Sequence, residues 1–198
     1  ASHEVRQEQM LTKATISLGR RFMFDEAHGL QVARLSLSLF DQLPELHGLG
    51  EGDRRLLLAA AILHDIGAFI SRKGHHKHSL YLLARSELPG LSPNEMLMVA
   101  NVARYHRKSL PAGRHTEFMR LSEKDQDRTT RLAALLRTAD ALDRAHLQHV
   151  NGVETEQDGD TVTLRLAGGG DFLLERWALA RKKNLFEKTF GKTLILSI

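Results

Sequence analysis

Five residue positions stand out for the chemistry they could do together: His28, the adjacent pair His64 and Asp65, His106, and Asp140. His64-Asp65 ends the most apolar run of the chain, Leu56 to Leu63. Burying an imidazole and a carboxylate there is costly unless both are satisfied, and one metal ion satisfies both. His28 falls on the helical stripe His28, Val32, Leu35, Leu39, so it points where the apolar residues point. His106 continues Met96, Val99 and Ala103, and Asp140 continues Leu132, Leu136 and Ala139, with Asp143 a turn further on. His78 opens a helix beside two further histidines and is the sixth candidate ligand. One such histidine alone would read as a hydrogen-bonded core residue. Six ligand-type residues on successive helices, in a chain with no cysteine, read as a divalent metal site of the kind helical bundles converge on.

Mixed imidazole and carboxylate ligands suit Mn, Fe, Ni, Zn or Mg, in one ion or two. Two ions about 3.5–4 Å apart would clamp a phosphate and activate water. In that arrangement Asp65 or Asp140 bridges the ions or orients the water, and these two are the candidate catalytic residues. Basic residues flank the ligands. Arg72, Lys73 and Lys77 surround His75 and His76, while Arg107, Lys108 and Arg144 follow the later ligands. These eight are the candidate contacts for phosphate oxygens. Arg181-Lys182-Lys183 is expected to be a solvated face. His3, His47, His115, His146 and His149 are expected at the surface.

Helices must position these residues. The pattern predicts them over Val5–Arg21, from the Asp25 cap to Leu43, over Asp53–Ile66 with Gly67 closing it, over His78–Ser86, from the Ser92 cap with Pro93 and Glu95 to His106, and over Glu123–Asp143. Ser71 to His76 reads as a loop. The pattern then changes. Val150–Glu156 and Thr161–Leu166 flank an Asp-Gly turn and read as a hairpin. Glu175–Phe190 reads as an amphipathic helix, and Thr193–Ile198 as a strand. The expected architecture is mainly α: a helical domain over 1–148 and a small ββαβ appendage over 149–198.

The 198 residues carry a formal charge of +4 and a pI near 9.6, a mild basic bias that favours anionic ligands. No run is long enough to span a bilayer and no export signal is evident, so the cytoplasm is the expected compartment. No nucleic-acid-binding motif is present and aromatics are few, which argues against that partner.

His28, His64-Asp65 within Leu-His-Asp-Ile-Gly, and Asp140 within Thr-Ala-Asp-Ala-Leu-Asp-Arg resemble the ligand order of the HD superfamily of metal-dependent phosphohydrolases. The resemblance implies an HD-domain helical bundle, and His78 and His106 resemble the extra ligands of its dinuclear members. A tighter resemblance is carried by His75-His76-Lys77-His78-Ser79, Ala103-Arg104-Tyr105-His106-Arg107, Ala139-Asp140-Ala141-Leu142-Asp143-Arg144 and the stretch from Glu175-Arg176-Trp177 to Phe190-Gly191-Lys192. These look like the C-terminal half of the exopolyphosphatase/guanosine pentaphosphate phosphohydrolase family. That family's phosphatase site lies in two N-terminal actin-like domains without counterpart in this sequence, and its C-terminal half is implied to support dimerisation and to guide anionic substrates. The expected function is therefore a metal-dependent phosphohydrolase acting on a phosphorylated nucleotide, alarmone or polyphosphate, as a homodimer. The alternative is a module that binds and dimerises without hydrolysis.

Overall fold

The computed structural model describes residues 2–197. Ten helices, α1 (His3–Arg21), α2 (Glu26–Gln42), α3 (Pro44–His47), α4 (Glu51–Leu63), α5 (His75–Ala84), α6 (Pro93–Arg104), α7 (Thr116–Met119), α8 (Glu123–Ala141), α9 (Leu173–Lys182) and α10 (Asn184–Phe190), accompany strands β1 (Val150–Asp158), β2 (Thr161–Gly168) and β3 (Thr193–Ser197). The chain is thus mainly helical with a three-stranded C-terminal sheet. β1 and β2 form the expected antiparallel hairpin, and β3 lies parallel to β2, which is why a helical crossover separates them in sequence. The end of the predicted last strand, Ile198, lies outside the described residues.

The core explains the helix order. Leu56 to Leu63 of α4 are all buried, because α4 is enclosed by α1, α2, α6 and α8. Such an all-round apolar helix belongs at a bundle centre. α2 comes close to it at Gly29, where an added Cβ would meet the Ile62 carbonyl oxygen at 2.6 Å. That contact sets His28 beside His64. The sheet edge is tied to α2: Gln42 Nε2 donates to the Val153 carbonyl, and the Thr155 amide donates to Gln42 Oε1. α9 and α10 pack on α8, and one buried cluster joins Leu135 of α8 to Phe186 of α10 and Val150 of β1.

Three local expectations are corrected. The helix of Asp53–Ile66 stops at Leu63, and a 3-10 turn (Ile66–Phe69) follows. Gly67 is not a left-handed cap: a Cβ there would lie 2.0 Å from the His75 carbonyl oxygen and 2.4 Å from the Ser79 amide, so the glycine permits a close approach. Second, His75 and His76 are not in a loop. Gly74, in the left-handed conformation (φ 69°), opens α5 at His75. Third, the single helix expected over Glu175–Phe190 is two helices meeting at Lys183.

Candidate metal centre

Helix ends assemble the site. Asp25 caps α2 and accepts the His28 amide, so His28 sits in the first turn of α2. His64 is the residue at which α4 ends, and His106 follows the end of α6. Asp140 lies in the last turn of α8 and His75 opens α5. The C-terminal ends of α4, α6 and α8 therefore point their carbonyl dipoles toward one place, an arrangement that favours a cation there. His64 Nδ1 donates to the Ala61 carbonyl at 2.6 Å, and His106 Nδ1 to the Ala103 carbonyl at 2.6 Å. Each bond satisfies a carbonyl left open by the helix end and fixes the tautomer that leaves Nε2 as a bare acceptor.

Those Nε2 atoms converge. His28 Nε2 lies 3.1 Å from His64 Nε2, and Asp140 Oδ1 lies 3.0 and 3.1 Å from the two. Asp65 Oδ2 is 3.5 Å from both imidazole nitrogens. On the other side, Asp65 Oδ1 lies 2.9 Å from His75 Nε2 and 3.2 Å from His106 Nε2, which are 3.0 Å apart. Asp65 thus divides its two oxygens between two triads, His28-His64-Asp65 and Asp65-His75-His106, each compact enough to hold an ion.

The donor set fits divalent cations. Asp65 Oδ1 is buried and forms no hydrogen bond, although two imidazole nitrogens are within reach, because these atoms aim at a common point rather than at one another. Donor spacings of 3.0–3.1 Å match neighbouring ligands about 2.1 Å from a shared octahedral ion. Without a cation, the lone pairs of His64 and His28 would face each other in a pocket of carboxylates. His28 Nδ1 also donates to Asp143 Oδ2 at 2.7 Å, and Gln148 donates to both Asp143 oxygens. Asp143 is fully buried and orients His28 as a supporting carboxylate.

The electrostatics carry the same demand. Burial opposes a charge on His28, yet hydrogen bonds to Asp140 and Asp143 outweigh it and raise its pKa to about 10. Burial likewise opposes a charge on His64, and Asp65 and Asp140 raise its pKa nonetheless. Burial penalises the carboxylates too, but His64 holds Asp65 well below the usual range, and Lys182 and His64 do so for Asp140. Imidazoles and carboxylates thus favour one another's charged forms at this centre. His106, where burial dominates, is pushed down to about 4.

Above the triads opens a cleft of about 540 Å³. Four of the eight expected phosphate contacts, His75, Arg107, Lys108 and Arg144, line it, with both candidate catalytic aspartates. His75 belongs to the ligand cluster as well. The rest are distributed differently. His76 is buried and does not line the cleft; burial and the surrounding cations lower its pKa to about 3. Arg72 lines a separate lobe that also reaches Asp65, while Lys73 and Lys77 are exposed outside the cleft lining. His78 is half-buried on α5 and belongs to neither triad. The α5 start three residues earlier than expected gives its place to His75.

Several cleft residues were not read from the sequence. Lys182 is not on a solvated face: its ammonium contacts Asp140 Oδ2 at the cleft wall, beside Arg181, Trp177 and Asn184. Arg137 lies buried at the cleft, and its partners among the described residues are the Tyr105 and Lys182 carbonyls and Asn184 Oδ1; burial lowers its pKa to about 10. His146 is exposed, as expected, and it also stacks on His28 with ring centroids 3.5 Å apart and pairs with Asp25 through Nδ1. His47, also expected at the surface, is a buried core histidine between the Phe40 carbonyl and the Leu49 amide. The signal available in the sequence was local, Asp143 one turn after Asp140; the left-handed backbone at Lys108, His146 and Gln148 is seen only in the structure. Such strain concentrates at functional sites.

Fold and site together define a helical domain with an interior His/Asp centre beneath a basic cleft. Residues 11–185 match Ppx/GppA phosphatase, domain III, and the chain belongs to that family. Relatives include proteins named guanosine-5'-triphosphate,3'-diphosphate pyrophosphatase. That of Vibrio parahaemolyticus is 30% identical over 165 residues, covering 82% of this chain and 32% of the relative. That of Vibrio vulnificus is 32% identical over 108 residues (54% and 22%), and that of Pseudoalteromonas translucida 38% over 99 (47% and 19%). The chain spans about a fifth to a third of the length of these relatives. No helix among the described residues is long and apolar enough to cross a membrane.

Proposed function

We propose that this domain is a metal-dependent phosphohydrolase of the HD type, acting on a phosphorylated nucleotide, alarmone or polyphosphate. The observation that carries the reading is the Asp65 carboxylate, split between the two histidine triads with one buried oxygen lacking a hydrogen bond. His28, His64, Asp65 and Asp140 would hold one divalent ion, and Asp65, His75 and His106 a second. Ions bound there supply Lewis acidity to a phosphoryl oxygen and acidify a water molecule.

The chain's own residues do the rest. Asp143 and the Ala61 and Ala103 carbonyls hold His28, His64 and His106 with Nε2 inward. His75 is held less firmly. Its Nδ1 faces both the Arg72 carbonyl and an Arg107 N–H, which favour opposite tautomers, so the second ion binds more weakly than the first. Arg107, Lys108, Arg144 and Arg181 at the cleft bind phosphoryl oxygens, and Arg137 offers a guanidinium without a carboxylate partner. Lys182 keeps Asp140 ionised and oriented. The relatives' names, which specify a guanosine polyphosphate, are consistent with such an anion.

The test is metal analysis of the purified chain, followed by phosphate release from a panel of nucleotides and polyphosphates. Bound Mn, Fe, Ni, Zn or Mg with turnover lost in His64→Ala and Asp65→Ala supports the reading. Metal-free protein without turnover overturns it. Anion binding that survives both substitutions favours a binding module instead, and the basic cleft, which needs no metal to attract phosphate, is the observation behind that second reading.

A further inference from the structure

The centre opens on two sides. Asp65 and His146 line the basic cleft, and both also line a second lobe of about 430 Å³. The two lobes differ in chemistry. The cleft carries Arg107, Lys108, Arg137, Arg144, Arg181 and Lys182. The second lobe is walled by Phe22, Met23, Phe24 and Phe69, with Arg72 as its one arginine or lysine beside Asp25 and Asp65.

Phe22 and Phe69 meet edge to face with centroids 5.6 Å apart. Phe69 is 50% exposed and Met23 79% exposed, and Met23 is fixed in the left-handed conformation (φ 50°). An aromatic wall with one guanidinium against two carboxylates has no surplus positive charge and does not suit a run of phosphates. It suits a flat, apolar-faced ring whose phosphoryl group reaches Asp65, and the Arg72 guanidinium can stack on or hydrogen-bond such a ring.

We infer that this second lobe, bounded by Phe22, Met23, Phe69 and Arg72, takes the planar ring of a phosphorylated substrate, in chemical class a nucleobase, while the phosphate chain occupies the basic cleft. His146, stacked on His28, stands between the two. The assignment rests on the phosphohydrolase reading for the phosphoryl group at the centre, and it narrows that reading to nucleotides over linear polyphosphate. Stacking on an aromatic wall makes the nucleotide bind about tenfold tighter than an inorganic chain with the same number of phosphates.

Calorimetric titration of the Mn-loaded chain with adenosine 5'-(β,γ-imido)triphosphate and with inorganic diimidotriphosphate tests this, since neither analogue is readily hydrolysed. The nucleotide analogue is expected to bind about tenfold tighter, with Phe69→Ala abolishing that preference and leaving the inorganic affinity unchanged. Phe69→Trp, which keeps a larger plane, is expected to retain it and shows that loss in the alanine variant is not misfolding. Equal affinities in the unaltered chain, or a preference that survives Phe69→Ala, overturn the lobe assignment and leave the phosphohydrolase reading standing. If neither analogue binds, the phosphate-binding reading itself fails and the lobe assignment falls with it.

Discussion

Replacing Asp143 with Asn is the sharpest probe of the centre, because Asp143 belongs to neither ligand triad. Its Oδ2 accepts from His28 Nδ1 at 2.7 Å, while its Oδ1 accepts the Gln148 amide at 2.9 Å. All of this lies in a dry environment, with Asp143 1% exposed. An asparagine has one oxygen where three N–H donors converge, His28 Nδ1, the Gln148 amide and Gln148 Nε2, so its NH2 must face at least one of them. The variant loses a charge-assisted bond and leaves a buried donor unpaired, on the order of 1.5–3 kcal/mol. Carried through His28 to the ion, this corresponds to a metal affinity about 10–100-fold lower. Only one ion should respond. Competition with a graded series of chelators, read by elemental analysis, should show one weakened site per chain and one unchanged. Equal weakening of both sites, or of neither, would refute the claim that Asp143 acts by orienting His28 within the first triad.

Gly67→Ala should cost about 1–3 kcal/mol or more, since its Cβ would lie 2.0 Å from the His75 carbonyl oxygen; thermal melts should drop, and metal analysis should show loss of the ion held by His75, whereas a wild-type metal count would contradict the packing account. Lys182→Met should weaken phosphate binding about tenfold, because the cleft loses a cation and Asp140 loses the contact that orients it, and Lys182→Arg should restore part of it; because Trp177 is the sole tryptophan and lines the cleft, its fluorescence reads the titration, and unchanged affinity would return Lys182 to the solvated face expected from sequence. In EDTA, stability should peak near pH 6.5–7. Below about 6.5 the unfolded chain binds protons that His106 (about 4) and His76 (about 3) refuse in the fold, so stability falls as pH drops. His28, raised to about 10, contributes stability that is fully present below about 6.5 and lost as pH rises through 10. A melting temperature that keeps climbing from pH 7 to 10 would contradict this, and added metal should move the optimum upward because the ion needs the imidazoles deprotonated.

The helical periodicity of the sequence was enough to place His28, His64, Asp65, His106 and Asp140 on core-facing positions, and to locate the hairpin by its Asp-Gly turn. Those features are local: a stripe every 3.6 residues or a turn dipeptide is written in neighbouring positions. The choice of His75 over His78 was not legible, because both are histidines in one basic segment. It depends on a left-handed Gly74 starting α5 early and on Gly67 letting that helix close against the 3-10 turn. Nor was Lys182, whose run Arg181-Lys182-Lys183 looks like any solvated helix face until α9 packs on α8 and carries it to Asp140. His146 is at the surface as its sequence context suggests, but its stacking on His28 was not legible, because that partner lies far away along the chain. Sequence determined which residues could be ligands and which helices carry them. Only tertiary packing decided which of them come close enough to share an ion, because that depends on distances between helix ends remote in the chain, set by how closely two backbones can approach.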